Sequence, residues 1–226
     1  MAFSNRKEEL LDIIFPSQCL GCGSHGNVLC RRCLASLAGG SLSEAGASGH
    51  WRRSVVSGYR AAGVYGGLIK EMVLNLKSSA RPFAGPLSRL MVAAAGNDPD
   101  YLAPDFVCFV PSERKKIVER GYNPAELLAR GVSRDLGRPL GRVLRKTRST
   151  LDQDRVGAEA RWENVAGAFA VTSEGGVRGR ILLVDDVLTT GATAEACSQA
   201  LLDAGAEAVH VLVAARAMLQ RGRSPA

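Results

Sequence analysis

ILLVDDVLTTGAT, residues 181–193, sets four aliphatic side chains before two adjacent aspartates and a threonine–glycine run. An aliphatic run of this kind suits a strand buried on both faces, as in a parallel sheet covered by helices. In an open α/β sheet ligands bind beyond the carboxyl ends of the strands, so Asp185 and Asp186 are expected at the rim of a crevice. Neighbouring carboxylates repel and are costly to bury alone, so the pair requires hydrogen-bond donors, a metal ion or water. The residues that follow supply hydroxyls and Gly191, a loop able to turn its N–H groups around a phosphate where the next helix begins. Carboxylates for sugar hydroxyls beside a loop for a phosphate suit a phosphorylated ribose.

Two other strand–DD motifs fail on what surrounds them. A Walker B strand needs a GxxxxGK[ST] loop, which the chain lacks. A phosphate-accepting receiver domain needs another aspartate a strand or two later, and none follows Asp203. GCGSHG (21–26) satisfies GxGxxG by letter but lies among cysteines with no strand before it, so it is not a nucleotide site.

Outward from this stretch the chain alternates strands and helices. SVVSGYRAAGVY reads as one long or bent strand, followed by helices at GLIKEMVLNLK and PFAGPLSRLMVAAAG. A strand at 106–110, a helix over about 124–135 and a short strand near 142–146 come next. The strand ending in Asp185–Asp186, a helix over 192–204 and the strand AVHVLVAA complete a largely parallel α/β sheet with helices on its faces. Asn123 is suited to cap its helix, with Pro124 at the first position and Glu126 at capping-box spacing.

The amino-terminal part is different. EELLDIIF has a helical apolar face that Pro16 ends, and Cys19, Cys22, Cys30 and Cys33 form C-x2-C-x7-C-x2-C. That spacing turns two thiol pairs toward one tetrahedral point and reads as a structural Zn2+ site, with two disulfides as the alternative. With all four ligands from protein, such a site leaves no position for catalysis. AGGSLSEAGASGH (38–50) reads as a linker, which divides the chain into a helix-and-knuckle module at 1–45 and a larger domain at 46–226. Cys108 and Cys197 read as ordinary buried thiols, and QRGRSPA as a frayed tail.

The 226 residues carry 29 Lys+Arg against 22 Asp+Glu, a net charge of +7, which favours anionic partners or simply a solvated basic surface. No apolar run reaches bilayer length and the amino terminus is too charged for a signal peptide, so a cytoplasmic protein with no membrane insertion is expected.

ILLVDDVLTTGAT resembles the phosphoribosyl diphosphate (PRPP) signature of type I phosphoribosyltransferases. More narrowly, the chain resembles the ComF (competence protein F) family through FPSQCLGCG with LCRRC, LIKEMVLNLK, FVPSERKKIVERGYN and KTRSTLDQDRVGAEARWENVAGAF, in the family's order. The resemblance implies a five-stranded, mostly parallel core sheet with a flexible hood, plus the zinc module. It assigns Asp185 and Asp186 to the ribose hydroxyls and associated Mg2+, as the catalytic pair, and Leu188, Thr189, Thr190, Gly191, Ala192 and Thr193 to the 5′-phosphate. Pro111 to Lys115 becomes the pyrophosphate loop, with Pro111, Ser112, Arg114 and Lys115; Arg145 and Lys146 either reach the diphosphate or end a solvated strand. The hood spans Thr147 to Asn164, with Gln153, Arg161 and Asn164 at family positions, and RGYNP stands where relatives have RGFNQ.

Two functions follow from the resemblance. One is Mg2+-dependent phosphoribosyl transfer from PRPP to an acceptor that no residue here identifies. The other is handling of single-stranded DNA in competence, with a DNA-uptake helicase as partner, the cations between Arg114 and Arg148 along the phosphate backbone, and the sugar-phosphate site regulatory or vestigial. The knuckle then either contacts nucleic acid or a partner, or staples the larger domain.

Overall fold

A computed structural model of the chain describes residues 17–39, 42–45, 55–78, 81–148, 158–172 and 177–218. The expected EELLDIIF helix, Gln153 and the QRGRSPA tail lie outside the described residues. In chain order the elements are α1 (Arg31–Ala38), β1 (Leu42–Ala45), β2 (Gly58–Ala61), α2 (Gly67–Lys77), a 3-10 turn at Arg81–Phe83, α3 (Ala84–Ala95), α4 (Pro99–Leu102) and β3 (Phe106–Phe109). They continue with α5 (Arg114–Arg120), α6 (Pro124–Leu136), β4 (Leu144–Lys146), α7 (Ala158–Val165), β5 (Phe169–Val171), β6 (Arg180–Leu188), α8 (Ala192–Asp203) and β7 (Ala208–Arg216).

The core sheet has five strands in the order β1-β2-β7-β6-β3, with β1 antiparallel at one edge and the other pairings parallel. The expected mostly parallel sheet is thus present, although two of its members differ. β1 lies inside the stretch read as a linker, pairing Leu42 with Ala61 through Ala45 with Gly58. β4 does not join the core sheet but pairs antiparallel with β5 in a separate two-stranded sheet. The reason lies just upstream: residues 139–141 run beside β3, with Val107 N–H donating to Pro139 O at 2.9 Å and Gly141 N–H to Val107 O at 2.8 Å, and the chain then turns away. Of the expected SVVSGYRAAGVY strand only Gly58–Ala61 forms β2, with Val64 making an isolated bridge to Arg216.

Strand alternation sorts the core into two faces. Leu182, Val184, Leu212 and Ala214 meet the apolar sides of α2, α3 and α6, whereas Ile181, Leu183, Val211 and Val213 meet α8 and the small sheet. α2 buries Ile69, Met72, Val73 and Leu76, the i, i+3, i+4, i+7 stripe of an amphipathic helix. α3 and α6 approach so closely that a Cβ at Gly131 would lie 2.3 Å from Ser88 Oγ, so only glycine fits.

Asn123 ties the carboxyl end of β3 to α6. Its Oδ1 accepts the Ala125 N–H at 3.0 Å and the Ser112 hydroxyl at 2.9 Å, and its Nδ2 donates to Val110 O at 2.9 Å. The cap and the Pro124 start are as expected, but Glu126 does not close a capping box. Arg130, at 2.7 Å, and Arg142 hold its carboxylate instead, because ionic donors outcompete one backbone N–H.

Candidate functional site

β6 does not end at Asp185–Asp186 as expected. It continues to Leu188 along β7, while β3 stops pairing with it at Val184, the partner of Phe109. From Asp185 onward one edge of β6 is open, and a cleft of about 330 Å³ forms there. Its walls include Tyr65, Leu74, Lys77, Ser112, Lys116 and Arg120, with Lys146, Asp185, Asp186, Thr189 and Thr193.

Alternation sends the two aspartates to opposite faces. Asp186 turns to the α2 side, where Lys77 Nζ lies 2.9 Å from its Oδ1. Burial works against the Lys77 ammonium, but the facing Asp186 and then Asp185 hold its pKa above the ordinary lysine value. Asp185 turns to the α8 side and accepts the Asp186 N–H at 2.8 Å. Burial, then the charge of Asp186, push its carboxyl up to about 8.

After β6 the loop Thr189–Gly191 leads into α8, with Gly191 at φ +85° and Ala192 N–H 3.4 Å from Thr190 Oγ1. No acceptor is found among the described residues for the N–H groups of Thr189, Thr190 and Gly191. Beneath the loop Arg216, 3% exposed, donates from Nη1 to Leu188 O at 3.1 Å and to Thr189 O.

The wall opposite is basic, though not with all the expected residues. α5 begins at Arg114, so Arg114 and Lys115 belong to a helix rather than to a loop, and both are exposed and outside the cleft lining. Lys116 and Arg120, one turn apart on the inner face of α5, line the cleft in their place. Pro111 and Ser112 line it. Lys146 does also, 2.7 Å from Glu113 Oε1, whereas Arg145, on the other side of β4, is exposed.

No family model matches the chain. Among curated proteins it is 32% identical over 202 residues to the DNA utilization protein YhgH of Escherichia coli K12, covering 85% of this chain and 81% of that one. The YhgH of Salmonella typhimurium is 30% identical over 205 residues, covering 86% and 82%. Competence protein F of Haemophilus influenzae is 36% identical over 117 residues, half of this chain (50%) and 51% of that one. The chain belongs to the ComF (competence protein F) family. Two solved structures are also similar to this ComF chain. The allosteric regulatory enzyme of purine biosynthesis gives a TM-score of 0.38 at 18% identity, covering 62% of this chain and 30% of that one. A purine phosphoribosyltransferase from Pyrococcus horikoshii Ot3 gives 0.26 at 13%, covering 70% and 91%.

The second predicted site of this ComF chain is brought together completely. The Sγ atoms of Cys19, Cys22, Cys30 and Cys33 lie within 4.8 Å of one another, and Cys22 and Cys30 are 3.7 Å apart. Four thiolates at about 2.3 Å from a tetrahedral zinc stand about 3.8 Å apart, so the cluster is compatible with that ion. The Ser24 hydroxyl and amide bring Cys22 down to about 6, while the neighbouring Cys30 thiol, and then burial, push Cys33 up to about 12. The knuckle packs on the larger domain, with Leu20, Val28, Cys33, Leu34 and Leu37 against the core face formed by α2 and α3.

Residues 149–157 of the expected hood lie outside the described residues. Thr147 N–H donates to Ala168 O at 2.9 Å and Arg148 to Ala166 O at 2.8 Å, and α7 covers Ala158–Val165. Cys108 and Cys197 are buried thiols whose pKa burial raises, as expected. Lys77, Lys116, Arg120, Tyr65 and Arg216 were not singled out from sequence. No helix was expected over Arg114–Arg120, so nothing in the sequence marked Lys116 and Arg120 as sharing an inner face.

Asp185 yields a pH prediction. Its carboxyl binds a proton more tightly folded, at about 8, than unfolded, at about 3.9, so the fold loses stability as pH rises between those values and no further above them. Asp185→Asn removes this dependence. Its melting temperature should match wild type below about pH 4 and exceed it above pH 8 by several degrees; parallel curves across that range contradict the assignment.

Proposed function

We propose that this ComF-family chain binds phosphoribosyl diphosphate with Mg2+ and transfers its phosphoribosyl group to an acceptor. The observation that carries the reading is the joining, in one cleft, of a carboxylate pair, a loop with unengaged N–H groups and a basic wall. The loop from Leu188 through Thr189, Thr190, Gly191 and Ala192 to Thr193 receives the 5′-phosphate, and Asp185 with Asp186 receives the ribose hydroxyls. Pro111 and Ser112 with Lys116, Arg120 and Lys146 face the diphosphate. As the bond from C1 to the diphosphate breaks, pyrophosphate leaves and positive charge grows on the sugar. The carboxylates stabilise that charge and the basic wall that of the departing group. A nucleophile on the acceptor then bonds to C1. The oxygen-only donors of Asp185 and Asp186 suit Mg2+, which supplies further neutralisation of the diphosphate. Zinc at the four cysteines serves as a structural staple.

The names of the relatives, DNA utilization protein and competence protein F, favour a second reading within the same family, in which the protein acts on DNA. Exposed Arg114, Lys115, Arg145 and Arg148 supply an outward-facing basic surface beside the cleft for the backbone of a single strand. No helix among the described residues is long and apolar enough to cross a membrane.

PRPP with Mg2+ is expected to raise the melting temperature by several degrees at millimolar concentrations. In the Asp185→Asn, Asp186→Asn double variant that rise should vanish, and a wild-type melt that ignores PRPP ends the transferase reading. Metal analysis should find one zinc per chain, with chelation lowering the melting temperature; a metal-free protein indifferent to chelators has no such staple. Single-stranded DNA affinity should fall with salt at a log–log slope of about −0.7 per phosphate contacted. A flat dependence removes the electrostatic DNA track.

A further inference from the structure

We propose that Arg216 is a positioning residue of the phosphate loop: its buried guanidinium pins the carbonyls of Leu188 and Thr189, turns the N–H groups of Thr189 and Thr190 toward a phosphate, and adds a fixed positive charge. The inference rests on the reading of this loop as a phosphate cradle and deepens it by naming what holds the cradle in shape.

Three observations carry it. Arg216 is 3% exposed and ends β7, so its side chain is committed to the interior. Among the described residues no carboxylate pairs with it, whereas Arg60 and Arg180 pair with Asp98 at 2.8 Å and Asp100 at 3.1 Å. A buried cation without an anion is costly, and an arriving anion next to it recovers that cost. Finally, Arg216 Nη1 donates to two consecutive carbonyls, Leu188 O at 3.1 Å and Thr189 O, while Ala217 N–H also donates to Leu188 O at 2.8 Å. In a trans peptide the N–H of the next residue points opposite to the carbonyl. Pinning those two carbonyls therefore points the Thr189 and Thr190 N–H groups away from Arg216, to the side where the Thr189 and Thr193 side chains line the cleft. The same N–H groups lack acceptors among the described residues. Fixed dipoles backed by a buried guanidinium match a dianionic phosphomonoester better than a neutral ligand.

The test compares the full-length wild type with Arg216→Met, Arg216→Lys and Arg60→Met, the last removing a part-buried arginine that does not line the cleft. Dissociation constants for inorganic phosphate and ribose 5-phosphate are measured by calorimetry. Amide shifts of Thr189, Thr190 and Gly191 are followed by NMR as phosphate is added. Arg216→Met should weaken both ligands by about thirtyfold and abolish the amide shifts. Arg216→Lys, which keeps the charge but loses the planar fork, should fall between. Arg60→Met should melt lower yet bind within about twofold of wild type. If Arg216→Met does not fold, Arg216→Lys decides: phosphate affinity equal to wild type with unchanged amide shifts overturns the proposal. Wild type that binds phosphate and ribose 5-phosphate but ignores PRPP with Mg2+ sinks the transferase reading and leaves Arg216 standing. PRPP binding that survives intact in both Arg216 variants sinks Arg216 and leaves the transferase reading. A wild type that takes up no phosphate defeats both.

Discussion

Alternation turns two adjacent carboxylates on one strand to opposite faces of the sheet, so each meets different neighbours within the fold, and the surroundings of the cleft follow from that constraint. Asp186 faces the helical side and is neutralised by Lys77 from the last turn of α2 at 2.9 Å. Asp185 faces α8, where no cation pairs with it among the described residues, and burial holds its proton up to about 8. Asp185 therefore tends to keep its proton below about pH 8. A cation or a set of hydroxyl donors that favours two carboxylates must displace a proton as it binds, so affinity for such a ligand is tied to pH by the fold itself.

Lys77 reaches Asp186 because α2 is held at both ends. At its start Leu68 packs so near the knuckle that a Cβ on Gly21 would lie 3.1 Å from its Cδ2 and 2.9 Å from Cys33 Sγ. From Leu68 to Lys77 the helix rises about 14 Å. Between them Ile69, Met72, Val73 and Leu76 lock it to the sheet. The cysteine cluster is thus built against the same helix that neutralises the acid pair. This geometry favours a staple on the larger domain over a separately presented binding module.

What was legible in the sequence were features whose residue types are themselves the geometry. Four cysteines at C-x2-C spacing had to converge, the aliphatic run of β6 had to be buried, and Asn123–Pro124 had to start a helix. Positions set by long-range pairing were hidden. β1 carries a Gly/Ser/Ala-rich surrounding that no local pattern marks as a strand; only its pairing with β2 makes it one. The end of β6 was misplaced because charge suggests a strand end, whereas β7 continues to pair through Leu188. In the basic wall the charges were visible but their facing was not: the helical start at Arg114 rotates Lys116 and Arg120 inward and leaves Arg114 and Lys115 in solvent.

Arg216 shows the same limit in its sharpest form. In sequence it is one arginine after an aliphatic strand, no different from the ends of many strands. Parallel pairing of β7 with β6 sets it opposite Leu188, whose carbonyl still accepts the Ala217 N–H, whereas the Thr189 carbonyl has left the ladder. A strand that ends in a ligand loop leaves such carbonyls to be satisfied, and water would do so without fixing their direction. A buried guanidinium satisfies two of them with one rigid plane, so the orientation of the neighbouring N–H groups is set before any anion arrives. Preorganised donors of this kind need no rearrangement on binding, which is why a loop of threonines and glycine, bearing no charge of its own, suffices to face a phosphate.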